Sequence, residues 1–250
     1  SGDNYRKMKQ LLRIPHGIIY FTGPTGSGKT TTLYSVLQYL SSRLVNIVTI
    51  EDPVERNLPK INQIQVNDRA GLNFQTGLRS ILRQDPDIIM IGETRDPETA
   101  EISARAAITG HLVFSTLHTN DAASSVTRLM DMGIPAYLAA ASIAGIVSQR
   151  LMRKVCPYCQ EEYEARPEEL KILYGKPAAP GEHVRLRRGK GCYLCNETGY
   201  KGRIAIHEIL SVDAEMKRMI SEGRKEDELK AYAIRSHGTV SYTHLRAHET

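Results

Sequence analysis

The segment from residue 23 to residue 30 reads Gly-Pro-Thr-Gly-Ser-Gly-Lys-Thr, which is the spacing of a phosphate-binding loop. Its glycines let the backbone curl so that successive N–H groups point at phosphate oxygens, and a following helix would add its positive N-terminal end. Lys29 would reach the β- and γ-phosphates of a nucleotide, and the Thr30 hydroxyl would bind Mg²⁺. A loop that only joins a strand to a helix needs no Lys-Thr pair at its end. The expected nucleotide-binding residues are Gly23, Pro24, Thr25, Gly26, Ser27, Gly28, Lys29, Thr30 and Thr31.

Two acidic clusters follow apolar runs, and hydrolysis of a bound nucleotide would need such carboxylates. Glu51 and Asp52 follow the run 45–50, and Glu93 follows the run 88–91. Ligands of open α/β sheets bind at the carboxyl ends of the strands. The first cluster could orient or deprotonate the attacking water, and the second could hold Mg²⁺ directly or through water. Taken alone, either cluster could instead be an acidic loop with a helix cap.

Two histidines flank the apolar run 112–116. His118 follows the C-terminal end of this run, where it could sense a γ-phosphate or form a hydrogen bond with a catalytic carboxylate. His111 precedes the run, and for this residue a structural role and a functional role both remain open.

The four cysteines form two pairs, Cys156-x-x-Cys159 and Cys192-x-x-Cys195. This arrangement favours a metal site over a secreted disulfide framework. Four thiolates bind Zn²⁺ tetrahedrally, and the closed shell leaves no position for a substrate, so we expect a structural zinc. A pair of redox disulfides is the alternative.

The elements that would position these residues alternate along the chain. Nearly continuous apolar strands are predicted at residues 17–22, 45–50, 88–91 and 112–116, and helices at 29–40, 74–83, 97–109 and 121–131. This alternation predicts an α/β fold whose parallel sheet is covered on both faces. Beyond residue 155, helices are predicted at 167–174, 214–221 and 225–235, and a strand at 203–210.

Composition excludes several classes of protein. The 250 residues carry 33 Lys and Arg, 28 Asp and Glu, a net charge of +5 and 41% hydrophobic residues, which is typical of a folded globular chain. Aromatic residues make up 6% and Trp is absent, which argues against a base-stacking nucleic-acid binder. The longest apolar stretch, 134–147, is shorter than the roughly 20 residues that span a bilayer. No secretory signal pattern occurs at the start of the sequence, so we expect a cytosolic protein.

Five ordered motifs resemble the C-terminal motor domain of the secretion ATPase superfamily, which powers type II secretion and type IV pilus assembly. They are the strand that begins near Pro15, the phosphate-binding loop extended to Tyr34, the acidic box at 49–55, the run 78–96 and the histidine box at 110–120. The similarity covers about residues 5–239.

The resemblance implies a RecA-like fold and a homohexameric ring that hydrolyses ATP with Mg²⁺ at subunit interfaces. By position it implies that Glu51 activates water, that Glu93 is the Walker B glutamate near Mg²⁺, and that His118 lies near the γ-phosphate. Ring arginines would neutralise transition-state charge, and the candidates are Arg79, Arg83 and Arg95. A surface ion pair is the alternative role for each arginine.

The resemblance also implies domains, partners and location. We expect a RecA-like ATPase core at 1–155, a zinc-binding subdomain at 156–200, the last strand and helices of the motor at 201–239, and a non-native tail at 240–250. The family carries further N-terminal domains, so we expect this sequence to be a fragment. The implied partners are those domains and an inner-membrane platform protein, with the motor at the cytoplasmic face of that membrane.

The cysteine module resembles that of the assembly and export ATPases, whereas pilus retraction ATPases generally lack it. Two other classes remain as alternatives. A nucleic-acid translocase with a zinc ribbon would show clustered basic and aromatic residues, which this sequence does not contain, so no nucleic-acid partner is expected. A zinc-stapled interaction module would bind nucleotide without turnover.

Overall fold

A computed structural model describes residues 2–42, 44–174 and 183–237. The strands are β1 Gly17–Thr22, β2 Ile47–Glu51, β3 Asn62–Gln65, β4 Ile88–Ile91, β5 Leu112–Leu117, β6 Ile143–Val155, β7 Gln160–Glu164, β8 Arg185–Gly189 and β9 Tyr200–Ser211. The helices are α1 Gly2–Leu11, α2 Lys29–Leu40, α3 Phe74–Ile81, α4 Pro97–Ile108, α5 Ala122–Asp131, α6 Ala136–Ser142, α7 Pro167–Tyr174, α8 Ala214–Ser221 and α9 Glu226–His237. The proposed non-native tail at 240–250 lies outside the described residues.

Seven strands form one sheet in the order β3-β2-β4-β5-β1-β6-β9. β1 pairs in parallel with β5 and β6, β4 with β2 and β5, and β2 with β3. Every residue of β1, β2, β4 and β5 is buried, as expected for strands covered on both faces. The predicted α/β fold with a parallel sheet is therefore confirmed.

The apolar core lies on both faces of this sheet because successive side chains of a strand point to opposite sides. In β1, Ile18 and Tyr20 belong to one buried cluster, and Ile19 and Phe21 belong to the other. Phe21 meets Phe114 of β5 with ring centroids 6.4 Å apart. Four neighbouring strands are parallel, so their carboxyl ends lie side by side along one edge of the sheet. They are β2, β4, β5 and β1.

Polar caps fix the start of three helices close to the sheet. Asn73, Asp96 and Asp121 each accept a backbone N–H bond from the residue three positions later. Pro97 occupies the first turn of α4, where the missing N–H is not needed. These local signals explain why α3, α4 and α5 begin within one residue of their predicted starts.

The structure differs from the sequence-based prediction in several elements. The apolar stretch at 134–147 is divided between α6, which begins after Pro135, and β6, which begins at Ile143. The strand β3 and the antiparallel pair β7–β8 lack an apolar signal, because their sequences are largely polar, and they differ from the prediction for that reason. The helix α1 was also missed, and β9 extends beyond the predicted 203–210 at both ends.

The chain divides into two compact units. The described residues up to 149 and from 207 onward form the first unit, and those between 150 and 206 form the second. The four cysteines all belong to the second unit. Within the part of the chain that the structure describes, no helix has the length and apolar character needed to cross a membrane.

Candidate nucleotide site and metal centre

The phosphate-binding loop connects β1 to α2 through glycines that other residues could not replace. Gly26 and Gly28 have φ values of 78° and 84°, which favour glycine. A Cβ on Gly23 would lie 2.3 Å from the carbonyl oxygen of Gln149, so the loop packs directly against the backbone of β6. The loop therefore has its shape because of its glycines and the strand behind it.

Several polar groups at the loop are arranged to meet a ligand. The Nζ atom of Lys29 donates to the carbonyl oxygens of Gly23 and Pro24 at 2.8 Å and 3.1 Å. No side chain caps α2, and its first turn contains no acidic residue. Among the described residues, the buried hydroxyls of Ser27 and Thr22 have no hydrogen-bond partner. Unpaired donors beside a helix N-terminus fit a phosphate group.

The charge on Lys29 is costly in this position. Burial lowers the pKa of Lys29, and the nearby carboxylate of Glu93 opposes that shift. Lys29 begins α2 directly after the loop that follows β1, and Glu93 lies in the loop after β4. Both therefore lie at the same edge of the sheet. A phosphate placed between the loop and Glu93 would further favour the charged lysine.

Glu93 is held by two side chains, His118 and Arg95. Its Oε1 atom lies 3.2 Å from Nε2 of His118, and its Oε2 atom lies 2.6 Å from Nη2 of Arg95. The bond to Glu93 raises the pKa of Arg95. The loop that carries Glu93 is fixed to β5, because the hydroxyl of Thr116 donates to the carbonyl oxygen of Gly92 at 2.7 Å. The predicted neighbours Glu93 and His118 thus meet at one sheet edge.

Glu51 lies behind this edge and is only 2% exposed. Its Oε2 atom accepts a hydrogen bond from the Tyr34 hydroxyl, and its Oε1 atom accepts from Thr49 Oγ1 at 2.5 Å and from Gln63 Nε2 at 3.0 Å. Burial and then the bond to Glu51 raise the pKa of Tyr34 to about 12. Both carboxylate oxygens are therefore occupied by donors of the protein itself.

Gly92 allows the two acidic loops to approach each other. A Cβ at this position would lie 3.3 Å from the Cα of Glu51, and the N–H of Gly92 donates to the carbonyl oxygen of Ile50 at 2.8 Å. A larger residue here would push the ends of β2 and β4 apart. Gly92 thus permits the close contact between the ends of β4 and β2, and Glu93, the next residue, provides the carboxylate.

The four cysteine sulfurs lie within 4.8 Å of one another, and the pairs 156–192, 159–195 and 192–195 are 3.7–4.0 Å apart. Zn–S bonds of about 2.3 Å in a regular tetrahedron give S···S separations of about 3.8 Å. The backbone N–H groups of Cys192 and Gly199 donate to the sulfur of Cys195 at 3.2 Å and 3.3 Å. The geometry of the cluster therefore fits Zn²⁺.

The pKa values of two of the cysteine thiols are shifted in opposite directions. Burial would raise the pKa of Cys195, but the backbone donors from Cys192 and Gly199 lower it to about 6. Burial and the neighbouring thiols raise the pKa of Cys159 to about 12. A cation bound among the four sulfurs would favour the thiolate form of all of them.

The family model described as "Type II/IV secretion system protein" matches residues 2–248. The chain belongs to this family. The predicted resemblance to secretion and pilus assembly ATPases is therefore confirmed at the level of the family.

Two curated relatives in this family are similar over most of the chain. The type II secretion system ATPase E of Vibrio cholerae is 49% identical over 93% of this chain and 46% of its own length. The type IV pilus assembly ATPase PilB of Thermus thermophilus is 50% identical over 92% of this chain and 26% of its own length. This chain thus spans about half or less of each relative.

A solved structure described as the pilus retraction motor PilT with bound ADP gives a TM-score of 0.69 at 30% identity. The alignment covers 96% of this chain and 59% of that one. The likeness supports a motor ATPase fold for this member of the family.

The three candidate arginines differ in their surroundings. Arg95 contacts Glu93, whereas Arg79 forms a surface ion pair with Glu98 at 2.8 Å, with 62% of its side chain exposed. Arg83 is exposed, and none of the ion pairs among the described residues includes it. Within one chain, Arg95 is therefore the candidate that lies at the site.

His111 lies at the opposite end of β5 from His118. Its Nδ1 atom is 2.9 Å from the carbonyl oxygen of Ala106, near the C-terminus of α4. This contact is typical of a residue that satisfies the last carbonyls of a helix. Of the two roles left open for His111, the structure supports the structural one.

Two residues behind the loop were not identified from the sequence. Gln149 of β6 contacts Ser27 and Thr32, and His207 of β9 contacts Gln149. Gln149 and His207 are 58 positions apart, and no sequence motif joins a glutamine in one strand to a histidine in another. The sequence therefore gives no sign of this contact. Only the strand order of the sheet, with β6 beside both β1 and β9, brings them to the loop.

Proposed function

We propose that this chain is the motor portion of a hexameric, Mg²⁺-dependent ATPase that powers type IV pilus assembly or type II protein secretion. The observation that carries the proposal is that the Glu93–His118 pair lies at the sheet edge that also carries Lys29, where the Glu93 carboxylate favours the charged lysine. A phosphate-binding lysine near a partly buried, oriented carboxylate is the arrangement that phosphoryl transfer to water requires. The names of the two curated relatives support the same activity.

Each residue at the edge has a defined task in this proposal. Lys29 would exchange its bonds to Gly23 and Pro24 for bonds to phosphate oxygens, and the backbone N–H groups of the loop would bind the remaining oxygens. Thr30 and Glu93 would hold Mg²⁺, which when bound offsets charge on the phosphates. The sequence motif supports the role of Thr30, and the contacts of Glu93 with His118 and Arg95 support the role of Glu93.

His118 and Arg95 keep the Glu93 side chain pointed along the edge from two sides. His118 is 42% exposed, so its other face is open to a ligand such as the γ-phosphate. Glu51 would activate water in the assembled ring. In the conformation described it is buried among three donors, and one of them would have to move before water could reach it.

The proposal extends to the assembly. Arg79 and Arg83 are exposed and would act across the interfaces of a homohexamer, while Arg95 would act from the same subunit as Glu93. The partners would be the inner-membrane platform protein and the remaining domains of the protein, at the cytoplasmic face of that membrane. The cysteine cluster would hold one structural Zn²⁺ in each subunit.

Nucleotide binding and turnover by matched variants test this function. Lys29→Ala should abolish binding of a fluorescent ADP analogue in Mg²⁺ buffer, because it removes the phosphate-facing charge. Glu93→Ala should preserve binding and lower turnover by at least about 100-fold, as expected when a residue stabilises only the transition state. Lys217→Ala, an exposed lysine on α8, is the matched control and should behave as wild type.

Turnover should be measured together with particle size on the full-length protein, with and without DNA and the platform's cytoplasmic domain. We expect hexamer-dependent ATPase activity that DNA leaves unchanged. Stimulation by DNA would favour a nucleic-acid translocase instead. Binding without turnover in every oligomeric state would favour a non-catalytic interaction module. Equal loss of binding in Lys29→Ala and Glu93→Ala would contradict the roles given to the two residues.

A further inference from the structure

Gln149 lies on β6, behind the phosphate-binding loop, and forms a hydrogen bond with the loop backbone. Its side chain is 1% exposed, and its Nε2 atom donates to the carbonyl oxygen of Ser27 at 2.7 Å. Its Oε1 atom accepts from the hydroxyl of Thr32 at 2.7 Å and lies 3.1 Å from Nε2 of His207. One buried amide therefore joins the loop, the first turn of α2 and β9.

The chemistry of the partners fixes the direction of all three bonds. A backbone carbonyl only accepts, so the Gln149 atom that faces Ser27 must be the amide nitrogen. The amide oxygen then accepts both remaining bonds, and His207 must carry a proton on Nε2. Burial lowers the pKa of His207, which favours the neutral ring with that proton retained on Nε2.

The bond to Ser27 controls a donor on the other side of the same peptide. In a planar trans peptide the C=O and the following N–H point in opposite directions. Because the Ser27 carbonyl points at Gln149, the N–H of Gly28 points away from β6, toward the inside of the loop. Glycines with positive φ flank Ser27, so this peptide could rotate if the bond were absent.

We propose that Gln149 and His207 are positioning residues that hold the Ser27–Gly28 peptide with its N–H directed at the bound phosphate. Gln149 acts through the loop backbone, and His207 acts through Gln149. Neither side chain touches the nucleotide. The inference rests on the proposed nucleotide-binding function. It adds that two strands outside the phosphate-binding motif, β6 and β9, fix the orientation of a peptide in the loop.

The test is a titration of this chain with a fluorescent ADP analogue in Mg²⁺ buffer. Gln149→Met keeps the length of the side chain and removes all three bonds, and we expect the Kd to rise about tenfold. Gln149→Glu keeps the two acceptor bonds but cannot donate to Ser27, and it should weaken binding at least as much. Gln38→Met is the same change at an exposed position of α2 and should leave the Kd unchanged.

A second pair of variants tests the role of His207. His207→Phe removes the donor to Gln149 and should raise the Kd about threefold, a smaller effect because the Ser27 bond remains. His207→Gln presents an amide donor at a similar reach and should restore the wild-type Kd. A merely structural role would lower the melting temperature of both variants without this difference in Kd between them.

The outcomes separate this inference from the proposed function. If wild type does not bind, or if Lys29→Ala binds equally well, the nucleotide site itself is wrong and the inference falls with it. If binding depends on Lys29 but folded Gln149→Met stays within twofold of wild type, only the positioning role is overturned. If Gln149→Met does not fold, the His207 pair decides, and equal Kd values for His207→Phe and wild type overturn the inference.

Discussion

Replacing Tyr34 with phenylalanine removes one hydroxyl that connects α2 to Glu51. This hydroxyl donates to Oε2 of Glu51 and accepts from the backbone N–H of Glu55 at 3.2 Å. The tyrosine ring is buried, so phenylalanine keeps the apolar contacts. The variant therefore removes the hydroxyl's bond to a buried carboxylate, and with it the weaker bond from Glu55, while the packing stays the same.

The size of the effect follows from the charge of the acceptor. A hydrogen bond to a charged group contributes about 1.5–3 kcal/mol to stability. Glu51 keeps its donors Thr49 and Gln63, so we expect a loss near the lower value, about 1.5 kcal/mol. At about 2–4 °C per kcal/mol for a protein of this size, the melting temperature should fall by about 3–6 °C at pH 8.

The pH dependence gives a second, sharper check. The pKa of Tyr34 is raised to about 12 in the folded state, and its ordinary value is 10.0. A group with a raised pKa stabilises the folded protein fully below its unfolded pKa, and this stabilisation is lost as the pH rises through the folded pKa. At pH 11 the loss is about 1.4 kcal/mol. Phenylalanine does not titrate, so the gap between the two proteins should close by that amount between pH 8 and pH 11.

Urea unfolding followed by circular dichroism at pH 8 and pH 11 measures both quantities. Tyr137→Phe is the control, because Tyr137 is 67% exposed and its loss should change stability little at either pH. Equal stability of wild type and Tyr34→Phe at pH 8 would refute the bond to Glu51. A gap that stays constant up to pH 11 would refute the shifted pKa of Tyr34.

Two further predictions concern glycines, and one concerns the metal. Gly23→Ala should abolish binding of a fluorescent ADP analogue and lower stability by about 1–3 kcal/mol, since its Cβ would lie 2.3 Å from a carbonyl oxygen of β6. Gly189→Ala, whose Cβ would lie 2.0 Å from the Gly199 oxygen, should weaken zinc retention against a chromogenic chelator. Purified protein should contain one zinc per chain, and chelation should lower the melting temperature while nucleotide affinity stays within twofold. Melting that is unchanged by chelation would refute a structural metal.

Local signals determined which elements could be predicted from the sequence. The strand β1 and the helix α2 match their predicted bounds, because a continuous apolar run and a glycine-rich loop mark their ends. The antiparallel pair β7–β8 has no such signal. It is accompanied by cross-strand ion pairs, such as Arg187 with Glu162 at 3.0 Å and Arg188 with Glu161 at 2.8 Å, and its sequence looks like a charged loop.

The same distinction applies to the site. Lys29, Glu93 and the cysteines could be identified because each belongs to a short motif whose chemistry depends on local spacing. The support from Gln149 could not be identified, because its bond to Ser27 joins residues 122 positions apart. The burial of Glu51 was also unforeseen, because its donors come from α2, β2 and β3, and β3 was not predicted.

The two acidic residues at the sheet edge are consequently not equivalent. Glu93 is 18% exposed, and its partners among the described residues, His118 and Arg95, are themselves partly exposed, so a metal or water can approach it from the solvent side. Glu51 is 2% exposed and is surrounded by buried donors, so water can reach it only after one of them has moved away. Because Tyr34 lies on the helix that begins at the phosphate-binding loop, a movement of α2 on nucleotide binding would act directly on that donor. If Glu51 is the general base, Tyr34→Phe should therefore raise the turnover of the assembled ring while it lowers stability, and a fall in both would assign Glu51 a structural role.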